Sequence, residues 1–225
     1  MSNHVNFKIM KTLSDDLYVY ELVLLGLGVL LFFILSVGLV YYIVKKEEIK
    51  KLLFFFPISI IMIGYPSIQE FTISKDKIAF TKHQNEVMKN PKDSVARQKF
   101  SEVTEKLEKR AKTAEDIVRI SEAKLLLGNS EEAIEYADKA IQEQEKERLE
   151  REITSSEVLD RTQISTTTKA IQLKNLAKIQ NINVKEVDKN ALQNQIRNIE
   201  VSKDLEAVKK VVAKKTLQKY RRSNN

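Results

Sequence analysis

Cysteine is absent from the 225 residues, histidine occurs twice, and glycine and proline number five and three. Without a thiol there is no disulfide framework, no thiolate zinc site and no cysteine nucleophile, and only His4 and His83 offer an imidazole. His83 reads as an ordinary surface residue. The chain also lacks a glycine-rich phosphate loop, an HExxH pair, a Ser-His-Asp set, and paired carboxylates outside charged helical faces. Catalytic, cofactor-binding and metal-binding residues are therefore all expected to be none. Aromatic side chains thin out as well. After Phe80 only Phe100, Tyr136 and Tyr220 remain, which is little material for a deep small-molecule pocket.

What is present divides into two materials. Leu22 to Val44 runs for 23 residues with no ionisable side chain except tyrosines, and Leu52 to Ile68 forms a second such run of 17. A bilayer core about 30 Å thick takes roughly 20 apolar residues, so the first run is long enough to span and the second lies at the short end. Tyr18, Tyr20, Tyr41 and Tyr42 stand where amphipathic rings prefer the headgroup level. A cleaved signal has a shorter apolar stretch and a small-residue cleavage site, whereas two tyrosines and then Lys45 and Lys46 close this one. Pro57 and Pro66 sit near the two ends of the second run, which leaves a short kinked span or a re-entrant helix open. Gly26, Gly28, Gly38 and Gly64 lie inside the two runs without GxxxG spacing. Lysines do not settle orientation. Lys45, Lys46, Lys50 and Lys51 lie between the runs, against Lys8 and Lys11 before them and Lys75, Lys77, Lys82 and Lys89 after.

Beyond the apolar runs, residues 71–80 alternate apolar and polar about a Lys-Asp-Lys tip, the pattern of a small β-hairpin or an extended connector. Helical signals then take over. Asn90 and Pro91 open a helix to about Ala111, carrying Val95, Phe100, Val103 and Leu107. Thr113 caps a second helix that ends at Gly128, and Asn129 with Glu132 opens a third in a capping-box arrangement. Its polar continuation to Glu152, with opposite charges three and four apart, reads as a solvated spacer. Thr154 to Thr168, rich in Ser and Thr, reads as a break. Two short helices, 169–180 and 187–199, precede a final one opened by Ser202.

The stretch Ala123 to Ile141 resembles the core of a tetratricopeptide repeat, with Gly128, Ala133, Tyr136, Ala137 and Ala140 on the positions expected of one degenerate unit over about 114–145. Three departures stand out. Ser121 replaces the usual Gly, Lys124 the usual aromatic, and no proline closes the unit near Glu145. Any antiparallel helical hairpin with an alanine seam remains the alternative. One repeat does not bury its own face, so a flanking helix must partner it. The resemblance implies protein or peptide binding, here in a seam of Ala123, Leu127, Gly128, Ala133, Tyr136, Ala137 and Ala140.

Charge is concentrated at the far end. Residues 201–225 carry eight Lys or Arg against two acids, +6 of the formal +7. Lys209, Lys210, Lys214, Lys215, Lys219, Arg221 and Arg222 lie beside a stripe of Leu205, Val208, Val212 and Leu217, the pattern of a basic amphipathic helix suited to anionic headgroups or an acidic protein surface. Nucleic acid is disfavoured, since Tyr220 is the one aromatic of the tail.

The expectation is an all-α membrane protein: a segment 1–21, a two-helix transmembrane hairpin at 22–68, a connector at 69–89, a tetratricopeptide-like domain at 90–152, short helices at 153–200 and a basic helix at 201–225. Its expected role is a scaffold in the cell membrane that binds a partner protein, with membrane lipid as its second partner. A membrane-perturbing pore gated by the helical domain is the alternative. Ser36, Ser59 and Ser67 are the only polar residues of the spans besides tyrosines, which favours the anchor. A structural rod is a third possibility.

Overall fold

A computed structural model describes residues 18–45, 50–154 and 161–223. The N-terminal segment up to residue 17, the charged connection at 46–49 and the part of the Ser/Thr-rich break at 155–160 lie outside the described residues. The described residues are helices joined by short turns, without strands, and the chain divides into two compact units, Met1–Lys77 and Ile78–Asn225.

The first unit contains α1 (Val19–Lys45), a short turn of helix α2 (Lys50–Leu53) and the beginning of α3 (Phe56–Lys89). Val19–Lys45 is the one described helix long and apolar enough to cross a membrane, and only 11% of its most apolar window is buried. Large side chains all around it, Val23, Leu30, Phe33, Val37 and Val40 among them, are more than half exposed. The second apolar run is divided: Leu52 and Leu53 end α2, Phe54 and Phe55 form a turn, and Phe56 to Ile68 open the 34-residue α3, in which Gln69, Glu70 and the Lys75, Asp76, Lys77 group follow the apolar residues. Gly28 sits at the crossing of α1 and α3. A Cβ there would stand 2.9 Å from the Met62 Cβ and 3.1 Å from the Ile63 amide nitrogen, so only glycine permits this approach. Phe32 and Phe56 meet edge to face nearby, 5.8 Å between centroids. Four hydroxyls are satisfied inside their own helices, Ser36 donating to the Phe32 carbonyl, Ser59 to Phe56, Ser67 to Ile63 and Thr72 to Ile68.

Residues 71–80 form neither a β-hairpin nor an extended connector: they lie inside α3. Their alternation coincides with a helical stripe. Ile73, Phe80 and Val87, spaced by seven, are buried, while Phe71 and Ile78 on the other side are more than two-thirds exposed.

The second unit collects the last residues of α3 with α4 (Ser94–Glu108), α5 (Ala114–Leu127), α6 (Ser130–Thr154), α7 (Arg161–Asn181), α8 (Lys189–Asn198), a 3₁₀ turn (Lys203–Leu205) and α9 (Glu206–Ser223). Helix ends follow local chemistry. Asp93 caps α4 by accepting from the Val95 and Ala96 amides, so α4 starts after Pro91 rather than at it. Thr113 accepts from the Asp116 amide and caps α5. Gly128, at φ 100°, ψ 5°, closes α5 in the left-handed conformation, and the Gly128 and Asn129 amides both reach the Lys124 carbonyl. Most of the expected Ser/Thr break from 161 onward is instead the first turns of α7, whose Thr166 is buried.

The core is built on close helix approach. Ala133, Ala137 and Ala140 of α6 and Ala170 and Ala177 of α7 are fully buried small residues, which let α6 pack closely against both α5 and α7. Phe100 fills the space between α4 and the end of α3, 5.1 Å from the Phe80 ring. Leu125, Leu126, Leu173 and Leu176 complete this interior, and α9 adds Val208, Val211 and Val212.

Candidate functional site

The residues that depart from the tetratricopeptide pattern make cross-helix bonds. Buried Ser121 donates to the Ala133 carbonyl at 2.7 Å, tying α5 to α6. Lys124, 9% exposed, places its ammonium 3.0 Å from Glu108 of α4 and 2.6 Å from Glu132 of α6. Tyr136 donates to the same Glu108 carboxylate. Burial opposes the charge on Lys124, but its two carboxylate partners outweigh that and hold its pKa above the ordinary value. Burial and then the Glu108 bond push the Tyr136 phenol up to about 12.

Of the expected partner-binding seam, Ala123, Ala133, Ala137 and Ala140 are fully buried, Leu127 and Tyr136 are partly buried, and Gly128 is exposed at the turn. The alanines act as contacts between helices of the unit itself.

The basic tail has its apolar stripe turned into the same core, with Leu205, Val208 and Val212 buried. Three of its lysines close the ends of other helices. Lys215 donates to the Leu126 carbonyl at 2.5 Å, at the C-terminus of α5, where Arg97 also donates to Leu127. Lys209 donates to Ile199 at 2.5 Å, just past α8, and Lys219 to Ile182 at 3.4 Å, just past α7. Each cation meets the negative end of a helix, where unsatisfied carbonyls and the macrodipole favour it. Burial first, then Arg97, pulls the Lys215 pKa down to about 8. Lys210, Lys214, Arg221 and Arg222 remain exposed.

Convergent polar groups that the residue pattern alone did not single out meet between the end of α3, α5 and the beginning of α7, around a cavity of about 320 Å³. Phe80 and Val118 supply its apolar floor, and Gln84, Glu122 and Lys169 its principal polar groups, with Thr81, Ser165 and Thr166 at the side and Glu115 and Arg119 at the rim. Glu122 is half-buried and accepts a 2.6 Å hydrogen bond from the Gln84 amide, which joins α3 to α5. Its neighbouring cations are committed elsewhere. Lys169 pairs with Asp204, and Arg119 with Glu115 at 2.8 Å. Desolvation dominates Glu122 and carries its pKa to about 7, with Asp204 adding to the rise and Lys169, Arg119 and Gln84 opposing it. A half-buried carboxyl balanced near neutrality beside a cavity marks a candidate binding site. Its only available signal was Glu122 on the mostly apolar face of α5, whose neighbours come from helices 38 and 47 positions away.

His83 is mostly buried, 2.7 Å from Glu86, a bond that lowers the Glu86 pKa. Among the described residues no group of three or more metal-ligating side chains is gathered. Comparison with protein-family models, with curated proteins and with solved structures gave no match.

Proposed function

We infer that the chain is a membrane-anchored helical binding module: α1 and the apolar opening of α3 form a two-span anchor, and a tetratricopeptide-like unit holds a partner protein at the bilayer. The observation that carries this reading is α1, a 27-residue helix whose most apolar 18 residues have a mean hydropathy of 2.9 and whose apolar side chains are left uncovered on nearly every side. In water such a surface is strongly unfavourable; in hydrocarbon it is the matching solvent. Two further features support it. Gly28 allows α1 and α3 to approach closely, and the hydroxyls of Ser36, Ser59, Ser67 and Thr72 each donate within their own helix, so these four do not enter lipid unpaired. The helical hairpin α5–α6, turned by Gly128, supports the repeat likeness, and the cleft of Glu122 is the surface offered to a partner. Tethering raises the effective concentration of whatever binds there.

The test places a photo-crosslinking residue at exposed Thr81, beside the cleft, and in a second chain at exposed Glu135 on α6. In alkali-washed membranes the full chain should stay in the pellet and give a discrete adduct from position 81 and none from 135. A chain released by the wash removes the anchor, and equal adducts from both positions remove the cleft.

A further inference from the structure

We propose that the cleft between α3, α5 and α7 is a receptor for an alkylammonium group, from a lysine side chain of the partner or from a free aliphatic amine. Glu122 faces the cavity with one neutral donor, Gln84, bound to its carboxyl, and among the described residues no cation pairs with it. The two nearest cations are held by acids, Lys169 by Asp204 and Arg119 by Glu115. An incoming anion would have to displace one of those acids and lie beside Glu122. An incoming cation needs no displacement and supplies the charge partner that a desolvated carboxylate lacks.

Size and lining agree with a short aliphatic amine. The cavity of about 320 Å³ corresponds to roughly ten water molecules at ~30 Å³ each. A butylammonium chain fits that volume with its methylenes on Phe80 and Val118 and its ammonium at Glu122, with the Ser165 hydroxyl close by as an acceptor.

Binding should depend on pH, since the carboxyl must be ionised to pair. Glu122 titrates near 7, and the charged groups around it are Glu115 and Arg119 on α5, Lys169 on α7 and Asp204 in the 3₁₀ turn; α3 contributes the neutral Gln84. The carboxylate is about one-tenth ionised at pH 6 and about nine-tenths at pH 8, so affinity should rise about 10-fold between them.

This inference rests on the binding-module reading for the origin of the amine, and its test is independent of membranes. The full chain in detergent micelles is titrated calorimetrically with butylammonium, with 1-butanol as the uncharged match, and with a Gly-Lys-Gly peptide blocked at both ends. Saturable binding of butylammonium, at least 10-fold tighter than butanol and about 10-fold weaker at pH 6 than at pH 8, is the result expected. Tighter binding of the peptide than of butylammonium assigns the source to a protein partner, and the reverse order assigns it to a free amine. Glu122→Gln should lower affinity at least 10-fold with helical circular dichroism unchanged, while the same change at exposed Glu135 on α6, Glu135→Gln, should leave it intact. Butanol binding as tightly as butylammonium, or no saturation by either amine, overturns the proposal, and the wild-type comparison alone decides that if Glu122→Gln misfolds. Failure here with the cross-link from position 81 intact removes the amine assignment and leaves the binding module standing.

Discussion

Glu122→Gln isolates the free energy that the cleft spends on holding a carboxylate away from water. In the folded chain the Glu122 carboxyl titrates near 7, against an ordinary value of 4.5. The native state therefore binds more protons than the unfolded state between those pH values, and stability falls as pH rises through that window. At ~1.4 kcal/mol per pH unit the full effect would be ~3 kcal/mol; the cleft is open to water, which reduces it to about 1–2 kcal/mol. A glutamine at this position keeps an oxygen able to accept from Gln84 and carries no charge to desolvate. The variant should match the parent at pH 4.5 and exceed it at pH 8 by about 1–2 kcal/mol, or about 2–8 °C in melting temperature for a unit of this size. Thermal unfolding of the full chain in detergent, followed by the helical signal, measures this. A variant less stable than the parent at pH 8, or one shifted equally at both pH values, would refute the desolvation account of Glu122.

The ease of reading the helical unit from residues tracks the distance over which each signal acts. Thr113 and Gly128 act within one turn of their own helix, and both stand where capping chemistry places them. The β-hairpin expectation for residues 71–80 failed because alternation over ten residues is shared by a strand and by a helix with a buried stripe. Only Val87, a further seven residues on, separates the two. Ser121 and Lys124 looked like defects in a repeat because their partners, the Ala133 carbonyl and the Glu108 and Glu132 carboxylates, are set by packing. The tail was legible as charge and not as capping. Lys209, Lys215 and Lys219 each serve the end of a helix folded against α9 by tertiary contacts. Glu122 belongs to the same class, since an acid on α5 becomes unusual only once α3 and α7 enclose it.

Three further outcomes are expected. Gly128→Ala should destabilise the helical unit by ~1–2 kcal/mol in chemical denaturation, through backbone strain alone since its Cβ would meet nothing within 4 Å, and Gly128→Asn by less. Lys124→Met should lower stability by about 1–3 kcal/mol, less than for a fully buried pair because Glu132 stays half exposed; adding Glu108→Leu should recover part of the loss in a double-mutant cycle. For Lys215, folding lowers the pKa from 10.5 to about 8, so the unfolded state holds more protons between those values and stability should rise with pH across them. Unfolding at pH 7.5 and 9.5 should show that rise in the parent and not in Lys215→Met.

The proposed two-span anchor bearing a helical binding unit can be tested directly in intact cells, because the chain contains no cysteine. Single substitutions Glu48→Cys, between the apolar runs, and Glu131→Cys, at an exposed position in the first turn of α6, each introduce the only thiol of the chain. A membrane-impermeant maleimide is applied to intact cells, with lysed cells as the control for reactivity. Two spans place the two positions on opposite sides, so one should react in intact cells and the other only after lysis, in a chain of full mass that resists alkaline extraction. Equal reactivity of both positions in intact cells, or a shortened chain in the soluble fraction, would contradict the account.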